Sequence, residues 1–237
     1  AVERYGAEGG SVVVLDPKTG ALLALASHPS YDPNQFAGFE EKRFIDPIIG
    51  RHYEPGSTFK VITMAAALEA GAVGIDDTYN DVGYIEVGGR TYKNWDEKAY
   101  GIVTMTDIMA YSLNTGISHV STLLGADRFY HYVERFGFGH ALGVDLEGEA
   151  DGAVRRLGDP EWHESDLGAH SFGQGLAVTP LQMVTAVGAI ANRGYMMRPY
   201  VVSQIIDADV GESSANQAAI ELAVVGSASQ WSASFAE

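Results

Sequence analysis

The sequence predicts an α+β fold in which a mostly antiparallel sheet packs against a cluster of helices. Short apolar runs typical of strands lie near both ends of the chain, at 11–15, 21–26 and 199–206. Helical patterns fill most of the chain between them, as in sheets with helices on one side. The 237 residues, 46% of them hydrophobic, are enough to bury a core. We expect one domain over 1–206 and then a divergent tail, 207–237, interpreted as an incomplete end of that domain.

Turn chemistry predicts two β-hairpins. The first joins 11–15 to 21–26 through Asp16-Pro17-Lys18-Thr19-Gly20, because Asp, Pro and Gly favour tight turns. The second pairs 84–87 with 91–93 around Gly88-Gly89-Arg90. The intervening segment 27–54 is polar and lacks clear periodicity, so we expect a long loop there.

Apolar runs bounded by capping residues predict the helices. They are expected at 57–70, 104–111, 114–124 and 126–136, and from Thr179-Pro180 to a stop at Asn192-Arg193-Gly194. The stretch 137–168 is rich in glycine and acidic residues. We expect it to be a loop with one short strand at 143–146.

Composition excludes several function classes. The formal charge of −16 and a pI near 4.7 argue against nucleic-acid binding, which needs a basic surface. The chain has no cysteine, and its seven histidines lack metal-binding spacing, so we expect neither a metal nor any other cofactor. No apolar run reaches the length of about 18 residues that a membrane span requires.

Ser57 and Lys60 form the first candidate for chemistry. Residues three apart share one face of a helix, so the serine hydroxyl and the lysine amine can come within hydrogen-bonding reach. A serine becomes nucleophilic beside a base, and a lysine whose charge is disfavoured by burial can be that base. The backbone N–H of Ser57, at the helix N-terminus, is a candidate oxyanion donor. A solvated surface pair is the alternative; the apolar surroundings of Lys60 favour a buried one.

A second polar cluster, Ser112 and Asn114, falls at the junction of two predicted helices. The Ser112 hydroxyl can relay a proton to or from Lys60, and the Asn114 amide can fix a substrate amide. Helix capping explains the pattern about as well.

Together these motifs resemble the transpeptidase domain of class B penicillin-binding proteins, in the penicillin-binding protein and serine β-lactamase superfamily. The resemblance spans about Gly10 to Ile206. The segments that carry it, in family order, are 11–17 (SVVVLDP), 53–60 (YEPGSTFK), Asn94-Trp95, 111–114 (YSLN), 171–175 (SFGQG) and 179–182 (TPLQ).

The resemblance implies the β-lactamase-like fold and a D,D-transpeptidase that cross-links peptidoglycan stem peptides ending in D-Ala-D-Ala. Ser57 would attack the penultimate carbonyl, Lys60 would accept its proton and Ser112 would pass a proton to the leaving D-alanine. Trp95 and Tyr111 would line the cleft, and β-lactam antibiotics would acylate Ser57. The resemblance also implies action at the extracytoplasmic face of the bacterial membrane by a tethered parent protein, alongside elongation or division proteins.

The chain departs from the family pattern at one motif. The family carries a Lys-Thr-Gly strand that binds the substrate carboxylate, and the sole such triplet here is Lys18-Thr19-Gly20, before the nucleophile. We interpret it as a plain turn, and the tail from 218 to 231 contains neither a lysine nor a Thr-Gly pair. Two alternatives therefore stay open: a β-lactamase or D,D-carboxypeptidase, and a catalytically impaired scaffold that binds a partner.

Overall fold

A computed structural model describes residues 1–206, 213–215 and 222–223 and confirms the α+β class. The chain divides into two compact units. The first unit comprises 1–52, 140–152 and the chain from 179 onward; the second comprises 53–139 and 153–178.

The secondary structure alternates between short strands and helices. The helices are α1 (Val2–Tyr5), α2 (Pro47–Gly50), α3 (Lys60–Glu69), α4 (Met105–Ala110), α5 (Asn114–Leu124), α6 (Ala126–Arg135), α7 (Glu164–Ser171) and α8 (Pro180–Ala191), with short 3-10 segments at Pro33–Gly38, Glu41–Arg43 and Gly56–Phe59. The strands are β1 (Gly10–Leu15), β2 (Leu22–His28), β3 (Thr78–Asp81), β4 (Tyr84–Val87), β5 (Arg90–Lys93), β6 (Gly101–Thr104), β7 (Tyr195–Met196), β8 (Gln204–Ile206), β9 (Ser213–Ala215) and β10 (Leu222–Ala223).

In the first unit, the predicted hairpin forms as β1 and β2, paired antiparallel from Gly10↔His28 to Leu15↔Leu22. A core of Ile48, Ile49, Val144 and Leu181 packs together in this unit. Strand β7 pairs with β10 and β8 with β9, both antiparallel.

The Lys18-Thr19-Gly20 triplet is a turn, as predicted. Both Asp16 carboxylate oxygens hold it, one accepting from the Lys18 backbone N–H at 3.0 Å and the other from the Thr19 hydroxyl at 2.8 Å. Gly20 has φ 83°, and a Cβ there would lie 2.2 Å from the carbonyl oxygen of Arg198. This position therefore requires glycine for local shape.

In the second unit, helices α3, α5 and α7 each bury several side chains, and two strand pairs, β3–β6 and β4–β5, are antiparallel. The second predicted hairpin is confirmed as β4–β5. The helix predicted at 57–70 begins with the 3-10 turn Gly56–Phe59 and becomes α-helical at Lys60. Residues at i and i+3 eclipse in a 3-10 turn, so Ser57 and Lys60 still share a face.

Helix capping made α4 and α8 predictable. Thr104 accepts from Asp107 and Thr179 accepts from Gln182, each within a reciprocal capping box. Helices α5 and α6 also match the predicted segments within a residue or two.

Other predictions are corrected. No strand forms at 143–146, because the backbone N–H groups of Leu142, Gly143 and Val144 donate to the Glu149 carboxylate rather than to a neighbouring strand. The predicted loop 137–168 contains the start of α7, whose mixed sequence ESDLGAHS has no apolar face to reveal it. The segment 27–54 holds short helices, and the strand expected at 199–206 is confined to Gln204–Ile206.

The division into a domain at 1–206 and a tail at 207–237 stays a prediction. Most of that tail, including the stretch compared with the missing motif, lies outside the described residues. Among the residues that are described, none of the helices combines the length and apolar character needed to cross a bilayer.

Candidate active site

The nucleophile candidate, Ser57, lies on the 3-10 turn Gly56–Phe59 in the second unit. Its side chain is exposed, whereas Phe59 and Lys60, which follow on the same chain, are buried. Gly56 has φ 58°, a left-handed conformation that glycine adopts without strain. The Ser57 N–H belongs to the first turn of the helix, where intrahelical acceptors are missing. The serine therefore presents a hydroxyl and a backbone donor at the surface of a well-packed element.

Lys60 is 1% exposed and supplies the base candidate. Its amine donates to three oxygens: the Ser112 carbonyl at 2.5 Å, the Ser112 hydroxyl at 3.0 Å and Asn114 Oδ1 at 2.8 Å. Burial disfavours the charged amine and lowers the pKa of Lys60 from 10.5 to about 8. The neutral amine is therefore accessible near physiological pH, as general-base catalysis requires.

Ser112 lies in the tight connection between α4 and α5. Its φ of 56° is left-handed, which is uncommon for a residue with a Cβ. The turn is held by two backbone bonds, from the Ser112 N–H to the Met109 carbonyl and from the Leu113 N–H to the Ile108 carbonyl. This conformation directs both oxygens of Ser112 at Lys60, and such strain is frequent at functional sites.

Asn114, the first residue of α5, completes the cluster. Its amide oxygen accepts from Lys60, and its amide nitrogen donates to the Lys93 carbonyl at 3.1 Å. The capping alternative is therefore wrong for Asn114: no side chain caps α5, and the Asn114 amide instead orients the Lys60 amine and ties the start of α5 to β5.

A buried polar network lies beside Asn114. The Asp81 carboxylate, 1% exposed, accepts from Asn94 Nδ2 at 2.8 Å and from the Thr115 hydroxyl at 2.9 Å. It also accepts from the backbone N–H groups of Gly83 and Tyr100. No local sequence pattern predicts this network, although Asp81 and the Asn94-Trp95 pair can be read in the sequence.

The predicted hydrogen bond between Ser57 and Lys60 is not made in this structure. Among the described residues, Lys60 finds its acceptors on Ser112 and Asn114, and these occupy the three N–H groups of a protonated amine. Loss of one proton would free a lone pair on Nζ. The geometry therefore joins Lys60, Ser112 and Asn114 directly and leaves Ser57 one helical turn away on the same face.

Gly173 fixes the turn that bears Ser57 from its other side. The Gly56 N–H donates to the Gly173 carbonyl at 2.9 Å. A Cβ on Gly173 would lie 2.2 Å from the Gly56 carbonyl oxygen. Gly173 therefore packs backbone to backbone against the residue before the nucleophile.

The two aromatic candidates are exposed. Tyr111 immediately precedes Ser112 and stacks on Tyr100, with ring centroids 5.6 Å apart. Trp95 follows the buried Asn94 and is 74% exposed. Both rings are available to a ligand, and Tyr111 is additionally held because the Tyr100 hydroxyl donates to Asp96.

This arrangement contains the groups that acyl transfer to a serine uses. It places an exposed hydroxyl near a buried amine with a lowered pKa and a second hydroxyl bonded to that amine. Over the described part of the chain, no group of three His, Cys, Asp or Glu side chains is positioned to hold a metal ion.

The chain is similar in sequence to known proteins. The family pattern described as penicillin binding protein transpeptidase domain matches residues 10–230. Stage V sporulation protein D of Bacillus subtilis is 35% identical over 212 residues, covering 87% of this chain and 32% of the relative. The peptidoglycan D,D-transpeptidase FtsI of Escherichia coli is 32% identical over 205 residues, covering 86% of this chain and 34% of the relative.

Solved structures show the same fold. Penicillin-binding protein 3 of Mycobacterium tuberculosis in complex with aztreonam superposes with a TM-score of 0.87 at 32% identity, covering 96% of this chain and 50% of that one. A D,D-transpeptidase domain from Eggerthella lenta gives a TM-score of 0.84 at 29% identity, covering 95% and 59%. The chain thus spans about a third of the curated relatives' length.

Proposed function

Since the chain belongs to the penicillin-binding protein transpeptidase family, we propose that it is the catalytic part of a peptidoglycan D,D-transpeptidase with Ser57 as the nucleophile. One observation carries the proposal. The buried Lys60 amine, with its pKa lowered to about 8, bonds Ser112 and Asn114 one helical turn from an exposed serine.

The first half-reaction forms an ester. Neutral Lys60 accepts the Ser57 hydroxyl proton as Oγ attacks the carbonyl of the penultimate D-alanine of a stem peptide. The Ser57 N–H donates to the developing oxyanion. The C–N bond to the terminal D-alanine then breaks, and a proton passes from Lys60 through the Ser112 hydroxyl to the leaving amine. The products are an acyl-Ser57 ester and free D-alanine.

The second half-reaction transfers the acyl group. An amine of another stem peptide attacks the ester, the C–Oγ bond breaks and a new amide bond forms. The attacking amine loses a proton along the same path, through Ser112 and Lys60, and Ser57 Oγ regains one. The exposed rings of Trp95 and Tyr111 offer apolar contact area for the two peptides.

β-Lactam antibiotics would acylate the same serine. The relative from Mycobacterium tuberculosis has been solved with aztreonam and with ampicillin, which supports this class of ligand. A β-lactam ring opens without releasing a leaving group from the site, so the ester persists unless water attacks it.

The location and partners belong to the same proposal. Stem peptides are assembled into the wall outside the cytoplasmic membrane, so the domain would act at its extracytoplasmic face. Proteins of cell elongation or division are the partners that a cell-wall transpeptidase requires to place its cross-links.

Labelling with a fluorescent penicillin tests the proposal. We expect a covalent adduct on the Ser57 peptide by mass spectrometry, absent in Ser57→Ala, while Thr58→Ala, whose hydroxyl instead donates to the Pro55 carbonyl, still labels. A stable adduct supports a transpeptidase; rapid release of hydrolysed penicillin would indicate a β-lactamase or carboxypeptidase. A folded wild-type protein that never labels would indicate a non-catalytic scaffold and overturn the proposal.

A further inference from the structure

A fully buried histidine, His170, lies at the end of α7 and is not explained by the proposed chemistry. It is 0% exposed and belongs to the second unit, as does Ser57. One ring nitrogen, Nδ1, is 2.9 Å from the Tyr130 hydroxyl, and the other, Nε2, is 3.0 Å from the Gly175 carbonyl oxygen. Both nitrogens therefore have partners, which fixes the orientation of the ring.

Trp162, Tyr130, His170 and Gly175 form a series of three hydrogen bonds. The groups at its two ends fix the direction of each bond. The Trp162 indole can only donate, and it donates to the Tyr130 hydroxyl oxygen at 2.8 Å. The Tyr130 proton is then free to point at His170 Nδ1. Because the Gly175 carbonyl can only accept, the histidine proton lies on Nε2. The chain thus requires the neutral Nε2–H tautomer of His170.

The electrostatic surroundings keep His170 neutral. Burial lowers its pKa to about 4, although the nearby carboxylates of Asp166 and Glu54 act in the opposite direction; Arg155 adds to the lowering. Burial also raises the pKa of Tyr130, so its hydroxyl stays protonated. The hydrogen-bond directions are therefore constant across the physiological range.

The segment that His170 holds is the one that packs on the nucleophile turn. The Gly175 N–H donates to Glu54 Oε1 at 2.8 Å, and Tyr53 and Val178 exchange both backbone hydrogen bonds at 2.9 Å. Gly173 then meets Gly56 backbone to backbone, as described above. Because neither glycine has a side chain to absorb a displacement, movement at 173–175 passes directly to the residue before Ser57.

We propose that His170 is a positioning residue for Ser57, acting through the Gly175 carbonyl and the backbone contact of Gly173 with Gly56. The inference rests on the proposed role of Ser57 as nucleophile. It adds a determinant of nucleophile placement that lies more than 100 residues further along the chain. A displaced nucleophile slows the covalent step while leaving the first non-covalent encounter with the ligand unchanged.

Two amide variants distinguish the hydrogen bond at Nε2 from the one at Nδ1. His170→Gln places an amide nitrogen near Nε2 and can still donate to Gly175, whereas His170→Asn places its amide near Nδ1 and cannot. Each loses one buried hydrogen bond, and asparagine leaves the larger cavity, so a purely structural role would lower the folded fraction rather than the saturating acylation rate of the folded protein. His131→Asn, at an exposed histidine on α6, is the matched control.

The measurement is acylation by a fluorescent penicillin over a range of concentrations, which separates the saturating rate from the dissociation constant. We expect His170→Asn to lower the saturating rate on the order of tenfold with an unchanged dissociation constant. We expect His170→Gln to remain within about threefold of wild type. Equal rates in the two folded variants would overturn the inference.

A second pair of variants, at Glu54, tests the same link if His170→Asn does not fold. Glu54 is exposed and provides the other anchor of Gly175, so Glu54→Ala should slow acylation and Glu54→Gln, which keeps an acceptor, should restore it. Equal rates in this pair would contradict the Gly175 link. A wild type that does not label at Ser57 overturns the proposed function, and this inference with it; a wild type that labels, with variants of equal rate, overturns this inference alone.

Discussion

Two regions of the molecule contain a lysine in a motif shared with the same family of enzymes, and their surroundings differ completely. Lys60 is 1% exposed and gives its amine to Ser112 and Asn114. Lys18 is exposed. Its backbone N–H and the Thr19 hydroxyl both donate to the Asp16 carboxylate within one turn. Burial and prepared acceptors, rather than the residue types, distinguish the candidate base from a turn residue.

Substituting each lysine by methionine should give the largest difference in acylation rate between the two sites. Lys60→Met removes the general base, and we expect penicillin acylation to fall by about 10²–10⁴-fold. The domain should remain folded, because methionine fills a buried site without a charge. Lys18→Met should change acylation by less than about twofold, as for other surface substitutions.

The rates are measured by gel fluorescence and folding by circular dichroism. A Lys60→Met protein that labels as fast as wild type would remove lysine from the mechanism.

Asn114 is expected to have the next largest effect. Asn114→Ala removes one charged hydrogen bond to Lys60 and leaves the Lys93 carbonyl without its donor, so we expect roughly a tenfold to hundredfold slower acylation. Asn114→Asp places a carboxylate beside the amine and should raise the pKa of Lys60. The pH–rate profile of that variant should move to higher pH; an unshifted profile would mean that Asn114 does not contact the base during catalysis.

The Asp81 network should affect stability. Asp81→Asn replaces an acceptor-only carboxylate by an amide with two N–H donors. Because the neighbours of Asp81 are themselves donors, these new N–H groups face no acceptor. We expect the free energy of unfolding to fall by about 1–3 kcal/mol in urea titrations. The exposed Asp76→Asn serves as the control. Equal stabilities of the two variants would show that the network does not support the start of α5.

Tyr111 should give the smallest effect. Tyr111→Ala removes an exposed ring next to Ser112, and we expect roughly threefold weaker non-covalent binding of penicillin. Tyr111→Phe keeps the ring and should behave as wild type. A loss of the covalent step in Tyr111→Ala, at unchanged affinity, would instead indicate that the ring holds Ser112 in its left-handed conformation.

Local chemistry explains which parts of the fold were predictable. The Thr104 and Thr179 caps and the Asp16 turn depend on residues within a few positions of each other, so the sequence displays them directly. Helix α7 was missed because its sequence lacks an apolar period and its cap is a histidine, His163.

The candidate site was predictable in its members but not in its connections. Ser57 and Lys60 were found from their spacing, and Ser112 and Asn114 gained weight from their order in the chain. The bond from Lys60 to Asn114 spans 54 positions, and no local pattern encodes such a contact. The Asp81 network and the contacts from His170 to Gly56 could not be predicted for the same reason, because they join residues that are distant in the sequence.

Titration of the Lys60 amine tests most directly whether this amine activates Ser57. The chain has five lysines, so a protein carrying carbon-13 at lysine Cε gives few signals, and Lys60→Met assigns the one that disappears. We predict a midpoint near pH 8, because burial lowers the pKa of Lys60 from 10.5 to about 8. Acylation should rise about tenfold per pH unit below that midpoint and level off above it. A Lys60 midpoint near 10.5, or an acylation rate that does not follow the titration, would contradict the claim that this buried amine activates Ser57.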